Sequence, residues 1–125
     1  MEGIKFRAWD IQTESMRDVL VLDWANGLID LSGGIIERRP HEVILMQYTG
    51  LKDKNGVEIY EGDIVIDRWV NEYTPVFQNG IYMAYNTKNL MQNDPSTQFN
   101  IIWKDGCEVV GNIYESQELL ESKKD

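Results

Sequence analysis

Turn chemistry and strand pattern coincide in one stretch of this chain, Tyr48 to Ile66 (YTGLKDKNGVEIYEGDIVI), and that stretch limits the fold more than any other. It reads as a β-hairpin. Asn55-Gly56 suits a two-residue type I′ turn, and Lys54-Asn55-Gly56 suits a three-residue loop with Gly56 in the left-handed conformation beside a bulge. Register separates the two. The shorter turn sets Asp53 opposite Glu58, whereas the longer loop pairs Lys52 with Glu58 and Leu51 with Ile59. Opposed like charges are unfavourable, and unlike or apolar pairs contribute roughly 0.2–1 kcal/mol each, so the three-residue loop is expected. Gly62, within Glu61-Gly62-Asp63, interrupts the second arm and predicts a bulge or tight bend before Ile64-Val65-Ile66.

The flanking sequence supplies further short strands. Ile4 to Trp9 alternates, with Ile4, Phe6 and Ala8 on one face and Lys5, Arg7 and Trp9 on the other. A polar turn at Asp10 to Glu14 leads to a second strand, Met16 to Leu22, antiparallel to the first, with Lys5 and Arg7 facing Asp18 or Asp23. Asp23 to Arg39 contains the turns Asn26-Gly27 and Ser32-Gly33-Gly34 and is assigned a short strand or loop. Val43 to Met46 is continuously apolar, which predicts burial on both faces. A strand from Ile81 to Tyr85 is followed by a polar run, Asn86 to Gln98. Phe99 to Trp103 and Glu108 to Ile113 are expected as strands joined by a hairpin turn at Asp105-Gly106, closing the sheet. Ser116 to Lys123 is expected as a short C-terminal helix with Ser116 as its cap and lysines at its end.

Three blocks, IKFRAWD (Ile4 to Asp10), QYTGLKDKNGVEIYEGDIV (Gln47 to Val65) and VVGNIYESQELLE (Val109 to Glu121), occur in an order and spacing that resemble the YopX family of small phage and prophage proteins. The resemblance implies a mainly β fold with an SH3-type roll and a phage-related origin. It brings no catalytic residues with it. Together with the strand signals it predicts an all-β domain over residues 1–125, an SH3-like roll or barrel extended by the N-terminal strand pair.

Charge narrows the function. Twenty-one acidic against twelve basic residues give a formal net charge of −9, which repels a phosphate backbone and disfavours nucleic acid as a partner. One cysteine, no basic-then-apolar N-terminal stretch and no run of membrane-spanning length lead to the expectation of a protein of the bacterial cytoplasm, without membrane association. Arg38-Arg39-Pro40-His41 is the one basic cluster, and Arg38 and Arg39 are a candidate anion contact.

The usual chemical constellations are not found. His41 and Cys107 are single and lie in separate connections, which offers too few ligands for structural zinc and no local nucleophile-base pair. Asp53 to Glu58 fails the spacing of a calcium loop. Glu58, Glu61, Asp63 and Asp67 could serve a metal-dependent enzyme, but a solvated carboxylate face is the expected reading. No cofactor is expected. The aromatic content, four tryptophans and six tyrosines, instead suggests protein contact. Trp69, Tyr82, Tyr85 and Met91, around the Gln78 to Gln98 segment, are the candidate interaction surface, and the same side chains could alternatively fold back as a flap over an open barrel end. The reading is therefore a non-enzymatic phage or prophage accessory protein that binds a host or phage protein, with self-association as an option. A nucleic-acid-associated SH3-like barrel and a metal-dependent carboxylate enzyme are the alternatives.

Overall fold

The central hairpin forms with the three-residue loop. In a computed structural model, which describes residues 4–87 and 97–116, the Asp53 N–H donates to the Val57 carbonyl at 2.8 Å across Lys54-Asn55-Gly56. Gly56 takes φ +83 and its N–H returns to the Asp53 carbonyl at 3.0 Å. The strands on either side are β5 (Val43–Lys52) and β6 (Glu58–Tyr60). Glu61-Gly62 then bends the chain into β7 (Asp63–Asp67), as the interrupted strand pattern predicts.

The chain divides into two compact units, residues 1–48 and 49–125. The N-terminal unit is an antiparallel sheet in the order β4-β3-β2-β1-β5. Its strands are β1 (Phe6–Asp10), β2 (Ser15–Asp23), β3 (Leu28–Leu31), β4 (Ile36–Arg38) and the first part of β5, with a 3-10 turn at Pro40–Glu42. Arg7 lies opposite Asp18, as the charge pattern predicts. The weakly patterned Asp23 to Arg39 region holds two strands rather than one. Alternation places Ala8, Ile29, Leu31 and Val43 in a buried cluster, against which Val19, Leu22, Ile36 and Leu45 pack. Burial of β5 on both faces is found only in part: Val43 and Met46, which alternation points to opposite faces, are both buried, whereas Ile44, on the same face as Met46, is 37% exposed.

This sheet is strongly curled. β4 and β1 are separated by three inter-strand steps, roughly 14 Å in a flat sheet. Arg38 on β4 nevertheless holds both carboxylate oxygens of Asp10 on β1 with one edge of its guanidinium, Nε to Oδ1 at 2.8 Å and Nη2 to Oδ2 at 3.1 Å. Asp10 is fully buried and also accepts from the Thr13 hydroxyl at 2.5 Å.

The C-terminal unit carries a second antiparallel sheet, β10-β9-β8-β7-β11, beside the β5–β6 hairpin. Its further strands are β8 (Glu72–Gln78), β9 (Ile81–Asn86), β10 (Thr97–Gln98) and β11 (Cys107–Asn112). Neither sheet closes into a barrel among the described residues, so the fold is mainly β with two open sheets and one short helix. That helix, α1, spans Phe99–Lys104, where a strand was expected. Phe99, Ile102 and Trp103 have the i, i+3, i+4 spacing of one helical face. Phe99 is buried in the cluster of Ile59, Val65, Ala84 and Cys107, with Ile102 and Trp103 packed on it, while Ile101 points outward at 51% exposure. Asp105-Gly106 ends this helix, the Gly106 N–H bonding the Trp103 carbonyl, instead of turning a hairpin. β11 pairs with β7. The predicted helix over Ser116 to Lys123 lies, beyond Ser116, outside the described residues.

Asp53 joins the two halves of this unit's hydrogen-bonding scheme. Its Oδ1 accepts from the Asn55 and Val57 N–H groups at 2.8 and 2.9 Å, and its Oδ2 from Val109 of β11 at 2.9 Å. Burial alone would raise its pKa, but the three backbone donors outweigh that and lower it. Asp53→Ala would leave these N–H groups without their acceptor, and a loss of about 2–4 kcal/mol is expected from urea unfolding. Asp10 is likewise lowered, chiefly by its hydrogen bonds from Arg38. Both carboxylates therefore contribute stability that is present above the ordinary value of 3.8 and is lost as pH falls toward their lower folded-state values. Thermal scans should show an acid decline below about pH 4 that is shallower in Asp10→Asn, although that variant starts less stable.

Candidate functional site

Trp69 sits at the tip of the turn between β7 and β8. The turn is built by Asp67, whose buried Oδ1 accepts from the Trp69 and Asn71 N–H groups, both at 2.9 Å, and whose Oδ2 accepts from the Asn71 side chain at 3.2 Å. Backbone bonds from Asp67 to the Asn71 carbonyl and from Val70 to the Asp67 carbonyl, both 3.0 Å, complete it. The tip is thus pinned, yet its side chains are open: Trp69 is 60% and Val70 69% exposed. The Arg68 guanidinium stacks on the Trp69 ring, 4.2 Å from its centre. Val70 has φ +65, a conformation that a β-branched residue rarely adopts.

The other candidates do not gather there. Tyr82 is half-buried on β9, packs on the C-terminal core and meets Phe77 edge-on at 4.9 Å. Burial, with Glu61 nearby, pushes its hydroxyl up to about 12. Tyr85, three residues on, points to the opposite face of β9, is buried, and donates to Gln78 at 2.5 Å. Met91 lies outside the described residues. Of the set proposed from sequence, Trp69 is the most exposed aromatic side chain and Tyr85 belongs to the interior.

The Arg38 guanidinium is engaged with Asp10 at one end, and its Nη1 donates to the Glu37 carbonyl at 3.1 Å. Arg39 caps the 3-10 turn through its backbone, donating to Glu42 at 2.7 Å, and its Nη1 lies 3.5 Å from the Asn26 carbonyl. These contacts shape the corner before β5.

The carboxylate set is distributed through the fold rather than gathered on a solvated face. Asp63 is buried and accepts from the Tyr60 N–H at 2.7 Å, bracing the Gly62 bend. Asp67 is buried in the turn described above, and Glu61 accepts from the Phe77 N–H at 3.0 Å. Among the described residues no group of three or more His, Cys, Asp or Glu side chains is placed to hold a metal ion. Cys107 is buried in the core, where burial and the neighbouring Asp53 push its thiol up to about 11, so it is a thiol at neutral pH. His41 belongs to the N-terminal unit and Cys107 to the C-terminal one.

A family model described as YopX protein matches residues 5–121. The chain belongs to the YopX family. A crystal structure of protein EF1440 from Enterococcus faecalis is 30% identical, with a TM-score of 0.65 over 96% of this chain and 99% of that one. The crystal structure of protein yopX from Bacillus subtilis is 18% identical, with a TM-score of 0.53 over 95% of this chain and 98% of that one, and shares the fold. No curated protein matches the chain. The YopX assignment, expected from three sequence blocks, therefore holds over most of its length, and no activity comes with it.

The backbone of the Trp69 loop allows a direct check. A left-handed conformation costs an L-residue on the order of 1–2 kcal/mol, so Val70→Gly should stabilise this member of the YopX family by about 1 kcal/mol in denaturant unfolding. An unchanged or lower midpoint would mean that Val70 gains as much from its contacts as its backbone loses.

Proposed function

We propose that this protein is a phage- or prophage-encoded accessory protein that acts in the bacterial cytoplasm by binding another protein, and that it is not an enzyme. The supporting observation is the Asp67 to Asn71 turn. An open Trp69 stacked by Arg68, on a loop fixed by a buried carboxylate, presents two of the residue types enriched at protein-contact hot spots in one prearranged geometry. Order in the loop lowers the entropy cost of docking. The net charge favours a basic protein over a nucleic acid. The curl of the N-terminal sheet supports an SH3-type roll as the finer description of the fold.

Trp69→Ser removes the anchor while leaving the Asp67 bonds in place, because those involve only main chain and Asn71. The variant is expected to keep the parent's thermal midpoint and to lose at least about ten-fold in affinity for a partner isolated with the parent protein, as measured by surface plasmon resonance. Unchanged affinity would move the contact away from this loop. Oligonucleotide binding that weakens steeply with salt would instead favour the nucleic-acid alternative.

A further inference from the structure

We propose that the cleft over the β3–β4 hairpin receives an extended segment of a partner protein that carries lysine or arginine beside an apolar residue. The proposal rests on the protein-binding reading and gives it a second contact of defined chemistry. Leu20, Leu31, Ile35 and Ile36 line an open cleft of about 360 Å³, with Asp30 and Glu37 as its charged residues. Leu20 is 63% exposed at the irregularity between Val19 and Val21, where β2 shifts register against β3, and Ile35 is fully exposed in the connecting turn. Apolar side chains are therefore held open to water at a place where the strand pairing is interrupted.

The charge of the cleft identifies its occupant. Asp30 and Glu37 are directly opposite one another on antiparallel strands, an arrangement that like charges disfavour. Neither side chain has a hydrogen bond or ion pair among the described residues. The nearby cations are engaged elsewhere: Arg38 holds Asp10, and Arg17 Nη1 donates to the Ser32 carbonyl at 3.0 Å. Nothing in the described hairpin neutralises the pair, and a cation from outside would. β4 is also the last strand of its sheet, so an extended segment can lie along its outer side. The negative field of the whole molecule draws a basic segment toward it.

Stability and binding then oppose each other at one site. In the full chain, Asp30→Asn with Glu37→Gln should raise the thermal midpoint by about 1–3 °C, by removing the facing charges. The same variant should bind a fluorescent peptide of alternating lysine and leucine at least about ten-fold more weakly, by anisotropy at physiological salt. Ile35→Ser should weaken the peptide without the thermal gain. Glu14→Gln with Asp105→Asn, which removes two exposed charges that do not line the cleft, should leave peptide affinity within about two-fold. Equal weakening by that control, or no measurable peptide binding by the parent protein, overturns the proposal. The protein-binding reading is scored separately: a partner captured through Trp69 that binds the Asp30/Glu37 variant as well as the parent leaves that reading standing and removes only the cleft.

Discussion

The C-terminal unit depends on a carboxylate that is largely withdrawn from water. Asp53 occupies the point where the central hairpin turns, and its two oxygens serve different structures: one closes the turn on itself, the other takes the N–H of Val109 from a strand 56 positions along the chain. A buried charge is costly unless its lone pairs are filled. Three main-chain donors fill them here, which fixes the turn and the place of β11 together. Cys107, at the start of β11, accordingly lies in the core rather than in a connection open to solvent.

The same device recurs. Asp63 braces the Gly62 bend, Asp67 builds the Trp69 turn, and the Asn112 side-chain oxygen accepts from the Tyr114 and Glu115 N–H groups at 2.9 and 2.8 Å. Short strands leave many turn N–H groups in need of partners, and Asp and Asn supply them locally. In the N-terminal unit the partner is a side chain. Asp10 and Arg38 meet across three strand steps, so the ion pair and the curl of the sheet require one another. The acidic composition is thus not only a soluble coat, because several of its carboxylates hold turns.

This use of carboxylates bears on function. Side chains that fill their lone pairs with the protein's own main chain are poorly placed to bind a metal or move a proton. What the described surface offers instead is contrast: apolar and cationic side chains at the Trp69 loop, apolar and anionic ones at the β3–β4 cleft. In the proposed protein-binding role, that contrast is what would select a partner by charge and shape.

Elements whose rules are local were legible in the chain. The three-residue loop followed from cross-strand charge pairing, the bend from Gly62, and the first strand pair from alternation. One local signal was missed: Asn79-Gly80 forms a two-residue turn between β8 and β9, with φ +54 and +87, as an Asn-Gly pair between strand-like runs allows. Phe99 to Trp103 was misread as a strand, since the apolar positions of so short a segment fit either period, and burial of Phe99 with Ile102 and Trp103 selected the helix. The family, too, was carried by sequence blocks. What tertiary structure alone decided is which polar groups are buried. Asp10 and Arg38 lie 28 positions apart, Asp53 and Val109 farther still, and no periodicity records such pairs. Desolvation depends on what the rest of the chain packs around a side chain, so an aspartate that reads as solvent-facing in the sequence becomes, once folded, the anchor of a turn.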